Sequence, residues 1–159
     1  MVDVHNSATR SKNMKAIRNH GTAIEKITSE ILLELGFDFM AQVKEMPGKP
    51  DFVLQSHKKI IFTHGCFWHH HDCYLFKTPA TRTDFWLKKI NKNTKRDKLI
   101  NQKIVNNGWE ILIIWECAIK GRFRLSRKEL STRIEEWIFA SCSSAEIDTK
   151  GIHIKDIDE

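Results

Sequence analysis

The 159-residue sequence has no apolar run of the length that crosses a membrane, and residues 1 to 13 lack the hydrophobic core of a signal peptide. It contains no internal repeat or low-complexity segment, and it has only three prolines and seven glycines. With 41% hydrophobic and 29% charged residues, its composition is that of an ordinary globular protein rather than a disordered or fibrous one. We therefore expect a cytoplasmic protein with no membrane association.

Cysteine is also scarce, since there are four and they do not suggest a disulfide framework. Cys66 and Cys73 lie among histidines, and Cys117 follows the apolar run at residues 109 to 115. Thiols in such company are more typical of metal binding in a reducing compartment than of disulfide bonds. Cys142 has no such neighbours, and we assign it no ligand role.

Acidic residues are almost absent from residues 77 to 103, where nine Lys or Arg stand against Asp84 and Asp97 alone. The net charge of the whole chain is +6. Phe85 and Trp86 lie within this basic stretch, and cations mixed with aromatics indicate a surface that binds a polyanion such as nucleic acid. A solvated helix face is the alternative interpretation, and for any single lysine it is the better one.

Hydrophobic periodicity predicts a compact α/β domain with a mixed sheet. Thr22 and Glu25 match a capping box at the first helix, and Thr81 is expected to cap the long basic helix. Ser126 and Glu129 match a further capping box at the last helix. The expected elements, in chain order, are a helix at 23 to 35, strands at 37 to 43, 51 to 55 and 58 to 64, a helix at 83 to 107, a buried central strand at 109 to 115 and a helix after residue 126.

The segment THGCFWHHHDC, at residues 63 to 73, combines two cysteines and four histidines. Zinc prefers thiolate and imidazole ligands in a tetrahedron, and a structural site fills all four positions with protein. The alternative is that the thiols are small buried side chains and the histidines are surface polar groups. We favour a zinc site whose candidate ligands are Cys66, His71, Cys73 and Cys117.

A second, harder metal ion is indicated at Asp51, which opens one predicted strand beside another that ends at Thr63 and His64. Mg²⁺ prefers oxygen ligands, and a carboxylate at a strand end is a common ligand in nucleases. Turn chemistry is the plainer explanation for an aspartate after proline. Likewise, helix capping is the plainer role for Glu25, and Asp97 could form an ion pair with a lysine of the same helix. His69 is not needed for the zinc tetrahedron, so it is a candidate general acid or base.

Taken together, these motifs resemble the very short patch repair (Vsr) endonuclease family. The resemblance covers most of the chain, with matching segments ATRSKNM, PGKPDFV, IFTHGCFWHHHDCYLFKTPATRTDFW, WECA and AEIDTKGIH. It implies a three-layer α/β fold like that of type II restriction endonucleases, with a central mixed sheet. It also implies a DNA-contacting segment at residues 1 to 21, which we expect to order on DNA, and a single endonuclease domain at 22 to 159.

The resemblance implies an activity as well. Members nick double-stranded DNA on the 5′ side of the thymine in a T·G mismatch, in a CT(A/T)GG-like context, where 5-methylcytosine has been deaminated. Mg²⁺ would be the catalytic cofactor and Zn²⁺ the structural one. The enzyme would act as a monomer, with a MutL-type mismatch-repair protein as a candidate partner and with DNA polymerase and ligase downstream.

Individual roles follow from the resemblance, residue by residue. Asp51 and the backbone carbonyl of Thr63 would bind Mg²⁺, and His69 would be the catalytic histidine. Supporting catalytic roles would fall to Glu25, His64 and Asp97, and the zinc ligands would be Cys66, His71, Cys73 and Cys117. The residues that contact or intercalate into DNA would be Met14, Phe67, Trp68, Arg82, Trp86, Lys88 and Lys89.

Two other functions compete with this one. A non-enzymatic zinc-containing DNA-binding module would explain the cysteines and the basic stretch but gives no reason for Asp51 with His69. A hydrolase that uses the zinc itself would need an open coordination position. A zinc deaminase would also need H-x-E and P-C-x-x-C motifs, and the sequence contains neither.

Overall fold

A computed structural model describes residues 23 to 141 and 143 to 155. Met14, Thr22, Cys142 and the proposed DNA-contacting segment therefore lie outside the described residues. The helices are α1 (Ala23–Glu34), α2 (Thr83–Asn106), α3 (Glu116–Ile119) and α4 (Arg127–Ala140). The strands are β1 (Met40–Ala41), β2 (Phe52–Leu54), β3 (Lys59–His64), β4 (Glu110–Trp115), β5 (Ala145–Asp148) and β6 (Gly151–Ile154).

The strands form one six-stranded sheet in the order β1-β2-β3-β4-β5-β6. β1, β2 and β3 pair antiparallel, β3, β4 and β5 run parallel, and β6 returns antiparallel to β5. The sheet is thus mixed, as the sequence predicts. β4 lies between β3 and β5, and all but its first residue are buried, which confirms the expected central strand.

Two cores cover the two faces of the sheet. On one face, Ile31 of α1 and Trp137 of α4 pack with Ile61 and Leu112. On the other face, Ile104 of α2 packs with Ile60 and Ile113. Alternate residues of β3 and β4 point to opposite faces, so each strand serves both cores. The described residues therefore form three layers, with helices on both sides of the sheet.

Several expected boundaries are wrong. The strand expected at 37 to 43 is reduced to Met40–Ala41, because Gln42 adopts a left-handed conformation (φ 53°) that ends it. Arg82, not Thr81, precedes α2, and among the described residues no side chain caps that helix. Ser126 does cap α4, since its hydroxyl accepts a hydrogen bond from the Glu129 N–H at 3.0 Å.

The sequence interpretation also missed β5 and β6, which form a hairpin at the edge of the sheet. Each has four residues, and the four of β6 include only two hydrophobic side chains, so neither shows a long alternating pattern. The helix α3 was missed because its four residues are too few to show a helical period. Within the described ranges, no helix combines the length and the apolar character needed to span a membrane.

Candidate active site and metal centre

Asp51 and Thr63 meet where β2 begins and β3 ends. The two strands are antiparallel, so the start of one lies beside the end of the other. The Thr63 N–H donates to Asp51 Oδ2 at 2.7 Å, and the Thr63 hydroxyl donates to the same oxygen at 3.2 Å. The fold thus fixes the carboxylate of Asp51 by bonds from the neighbouring strand.

Gln42 links the Asp51 carboxylate to the carboxylate of Glu25. Gln42 Nε2 donates to Glu25 Oε2 at 2.8 Å and to Asp51 Oδ1 at 3.3 Å. Glu25 is only 7% exposed although it lies in the first turn of α1. Thr22, the expected capping-box partner of Glu25, lies outside the described residues. The Glu25 carboxylate accepts a hydrogen bond from Gln42. We call Glu25, Gln42, Asp51 and Thr63 the acidic cluster.

His69 and His64 line the same cleft. His69 Nδ1 is hydrogen-bonded to the Asp97 carboxylate of α2, so Asp97 pairs with this histidine rather than with a helical lysine. The imidazole rings of His64 and His69 are stacked, with centroids 3.8 Å apart. Burial lowers the pKa of His64 well below its usual value, and the charges of His69 and Lys155 lower it further. His64 is therefore neutral at physiological pH.

The cleft between these groups has a volume of about 730 Å³ and is bordered by cationic side chains. Lys44, Lys49 and Arg96 line it together with the acidic cluster and the His69–Asp97 pair. A smaller cavity of about 320 Å³ shares His64, His69, Asp97 and Asn101 with it. Cations around a carboxylate-lined cleft suit an anionic ligand that also contacts a bound metal ion.

A separate group of Cys66, His71, Cys73 and Cys117, here called the Cys/His group, could hold a metal ion. Their candidate ligand atoms all lie within 4.8 Å of one another. His71 Nδ1 lies 3.5 Å from Cys66 Sγ and 3.6 Å from Cys117 Sγ. Zinc bond lengths in a tetrahedron place sulfur and nitrogen ligands about 3.6 Å apart, so the spacing matches that geometry.

Backbone bonds hold this group in place. The His71 N–H donates to the Cys66 carbonyl at 2.9 Å, and the Cys66 N–H donates to Glu116 Oε1 at 3.2 Å. The pKa of the Cys117 thiol falls to about 5, because the Cys66 thiol donates a hydrogen bond to its sulfur and His71 lies beside it. The pKa of Cys66 rises, because its thiol is that donor and is also buried. Cys117 is thus poised as a thiolate ligand.

Aromatic residues near the Cys/His group form a surface rather than a buried core. Phe67, Trp68 and Trp86, here called the aromatic wedge, contact one another with ring centroids 5.2 to 6.1 Å apart. Trp68 is 43% exposed. Lys89 Nζ lies 5.5 Å from the Trp68 ring centroid and 5.7 Å from that of Trp86. Arg82 and Lys88 are exposed nearby on and before α2.

The fold therefore brings together most of the residues that the sequence singled out. Glu25, Asp51, Thr63, His64, His69 and Asp97 border one cleft. The sequence pattern did not identify Gln42 or Asn101, which also line it. An isolated glutamine or a helical asparagine has no spacing that distinguishes it from solvated surface, so no local pattern could have found either one.

Comparison with known proteins gives a consistent result. Residues 2 to 75 match the family model described as DNA mismatch endonuclease Vsr. The DNA mismatch endonuclease Vsr of Escherichia coli (strain K12) is 54% identical over 154 residues, which are 97% of this chain and 99% of that protein. The type II nicking enzyme V.NmeAIP of Neisseria meningitidis is 35% identical over 136 residues, covering 86% and 96% of the two chains. The type II nicking enzyme V.XorIIP of Xanthomonas oryzae is 34% identical over 119 residues, covering 75% and 88%.

Proposed function

The chain belongs to the DNA mismatch endonuclease Vsr family, and on that premise we propose that it nicks DNA at T·G mismatches in a Mg²⁺-dependent reaction. The cut would fall 5′ of the mismatched thymine in a CT(A/T)GG-like site. The observation that carries this proposal is the convergence of Asp51, Thr63 and the His69–Asp97 pair on one cleft. The three-layer arrangement of the described residues is the expected framework of a restriction-endonuclease-like domain.

The acidic cluster fits Mg²⁺ by its donor chemistry. Mg²⁺ takes oxygen ligands and few protein groups, and Asp51 with the Thr63 carbonyl would supply them. His64, His69 and Asp97 could also hold an ion, but two imidazoles suit zinc or another transition metal better than Mg²⁺. When bound at Asp51, Mg²⁺ would stabilise negative charge on the scissile phosphate and lower the pKa of water.

His69 is the general base in this proposal. Its Nδ1 is engaged by Asp97, which fixes the ring orientation and leaves Nε2 as the nitrogen that can take a proton from water. The stacked His64 ring limits rotation of His69 out of the cleft. Lys44, Lys49 and Arg96 would contact the DNA phosphates on either side of the scissile one.

The Cys/His group fits Zn²⁺. Three thiols and one imidazole at tetrahedral separations form a closed structural set, which leaves no position for substrate. The four residues would therefore brace the segment that carries His69 and the aromatic wedge. A hydrolase that uses this zinc as its catalytic metal does not fit four protein ligands.

The aromatic wedge is the proposed mismatch probe. Inserting apolar rings between base steps costs a few kcal/mol, and the cost is least where pairing is already imperfect. Phe67, Trp68 and Trp86 would enter the stack at the T·G pair, with Met14 approaching from the other groove. Lys89, with Arg82 and Lys88, would hold the backbone beside it.

In the cell, the substrate would be double-stranded DNA in which 5-methylcytosine has deaminated to thymine. The protein would act as a monomer in the bacterial cytoplasm at the nucleoid. Its nick would be resolved by DNA polymerase and ligase, with a MutL-type protein as a candidate stimulating partner.

The decisive experiment compares a duplex that has one T·G mismatch in a CTAGG context with its fully paired T·A counterpart, in Mg²⁺ and in EDTA. We expect a single Mg²⁺-dependent nick 5′ of the mismatched thymine, and we expect Asp51→Ala to abolish it. Tight mismatch binding without cleavage would instead favour the non-enzymatic zinc-containing DNA-binding module. Equal cleavage of both duplexes would keep the nuclease and reject mismatch repair as its role.

A further inference from the structure

Gln42 is a neutral side chain whose amide joins two carboxylates in the described cleft. Its Nε2 carries two hydrogens, one directed at Glu25 Oε2 at 2.8 Å and the other at Asp51 Oδ1 at 3.3 Å. Glu25 comes from α1 and Asp51 from the start of β2, so no local structure links them. The glutamine amide connects these two elements at the cleft.

The Gln42 backbone has a left-handed conformation and is hydrogen-bonded to the segment that carries Asp51. Its φ of 53° is a left-handed conformation that residues other than glycine adopt only when the surroundings enforce it. The Gln42 N–H donates to the Asp51 carbonyl at 2.9 Å, and the Val43 N–H donates to the Pro50 carbonyl at 3.1 Å. Gln42 is thus bonded to Asp51 through both its backbone and its side chain.

The choice of an amide has an electrostatic consequence. A lysine or arginine here would also bridge the carboxylates, but its charge would neutralise one of them and compete with a divalent ion. A carboxamide donates two hydrogen bonds and leaves the negative charge of both groups in place. Affinity for a hard divalent cation rises with the charge of its ligands and with the rigidity of the site.

We propose that Gln42 is a positioning residue for the divalent ion, which holds the carboxylates of Glu25 and Asp51 in the arrangement that receives the metal. This inference rests on the proposed function only in assuming an ion at Asp51. Groups that orient metal ligands typically change metal affinity by 10- to 100-fold when they are removed, and we expect a loss of about that size here.

Two substitutions separate this role from a structural one. Gln42→Gly removes the amide while the positive φ becomes free of strain, so the fold should be retained. Gln42→Met keeps the length of the side chain but has no N–H donor. Gln102→Met is the matched control, because it makes the same chemical change on α2 at a residue that lines neither cavity.

The test measures Mn²⁺ binding to the zinc-loaded protein without DNA, from the electron paramagnetic resonance signal of the free ion. Nicking of the T·G duplex as a function of Mg²⁺ concentration is the second readout, and duplex affinity in EDTA is the third. For both Gln42 variants we expect the Mn²⁺ Kd and the Mg²⁺ midpoint to rise about 10- to 100-fold, with duplex affinity in EDTA unchanged. Gln102→Met should behave as the unmodified chain does.

The inference is overturned if both Gln42 variants bind Mn²⁺ as the unmodified chain does, or if the unmodified chain binds none. The two proposals fail in different ways. Mn²⁺ binding that depends on Gln42 in a protein that nicks no mismatch would retain the inference and reject the proposed function. Mismatch nicking with a metal affinity that does not depend on Gln42 would retain the proposed function and reject the inference.

Discussion

The Asp97 carboxylate is hydrogen-bonded to Nδ1 of His69, although the two residues are 28 positions apart and belong to different elements. Asp97 lies within α2, and His69 lies between Cys66 and His71 of the Cys/His group. A helix and the loop that carries the Cys/His group therefore hold one imidazole from two sides. That arrangement determines which ring nitrogen can accept a proton, and it makes the pair the first target for substitution.

Asp97→Asn should lower the single-turnover nicking rate by roughly 10²- to 10⁴-fold, the usual contribution of a positioned general base. The amide of asparagine can donate to Nδ1, which would place the histidine proton on Nε2 and block its role as a base. Rapid-quench nicking of the T·G duplex at saturating Mg²⁺ measures the effect. Asp38→Asn makes the same change at an exposed residue and should leave the rate unaltered. An unaltered rate in Asp97→Asn would remove His69 from the proposed mechanism.

If the Cys/His group holds zinc as proposed, Cys117→Ser should release it and lower Tm by about 10 °C. The physical reason is that a structural metal contributes several kcal/mol to folding, and each kcal/mol shifts Tm by roughly 2–4 °C in a protein of this size. Elemental analysis of the purified protein and differential scanning calorimetry give the two readouts. Cys142→Ser is the matched control, since the sequence assigns this cysteine no ligand role. Full zinc content in Cys117→Ser would contradict the proposed ligand set.

Trp68→Ala should weaken binding to the T·G duplex by about 1–3 kcal/mol, the value of one aromatic side chain stacked on a base. Because Trp68 is 43% exposed, the free energy of unfolding should change little. Fluorescence anisotropy in EDTA measures binding without cleavage. The control is Phe139→Ala, because Phe139 is 67% exposed and packs on Phe37 at the core on the other side of the sheet. Equal losses on T·G and T·A duplexes would argue against a wedge that senses the mismatch.

Lys89→Ala should reduce the slope of log K against log salt concentration by about 0.9, the value expected on losing one phosphate contact. The Lys89 ammonium group lies over Trp68 and Trp86, so it would contact a DNA phosphate when the aromatic wedge binds the duplex. Titrations at several salt concentrations give the slope. Lys128→Ala removes another exposed lysine, from α4, and should leave the slope as it is. An unchanged slope in Lys89→Ala would place that lysine outside the DNA interface.

Patterns within short segments were enough to predict several parts of this protein. The long helix expected at 83 to 107 is observed as Thr83–Asn106, and the apolar run at 109 to 115 is observed as Glu110–Trp115. Three of the four members of the Cys/His group lie within eight residues of one another, so ligand chemistry alone could propose them. Such features are local, because periodicity and loop length constrain where their side chains can point.

Only the tertiary structure decided how the catalytic candidates are connected. A capping-box pattern describes Glu25 as a helix-capping residue, but packing of α1 against the sheet buries it and brings its carboxylate to Gln42. Basic neighbours in the sequence suggest a lysine partner for Asp97, but the loop between Cys66 and His71 supplies His69 instead. These contacts depend on the order and direction of the strands. The sequence by itself therefore determined which chemistry was present, and long-range packing decided which groups act together, because hydrogen bonds between distant segments leave no periodic trace in the chain.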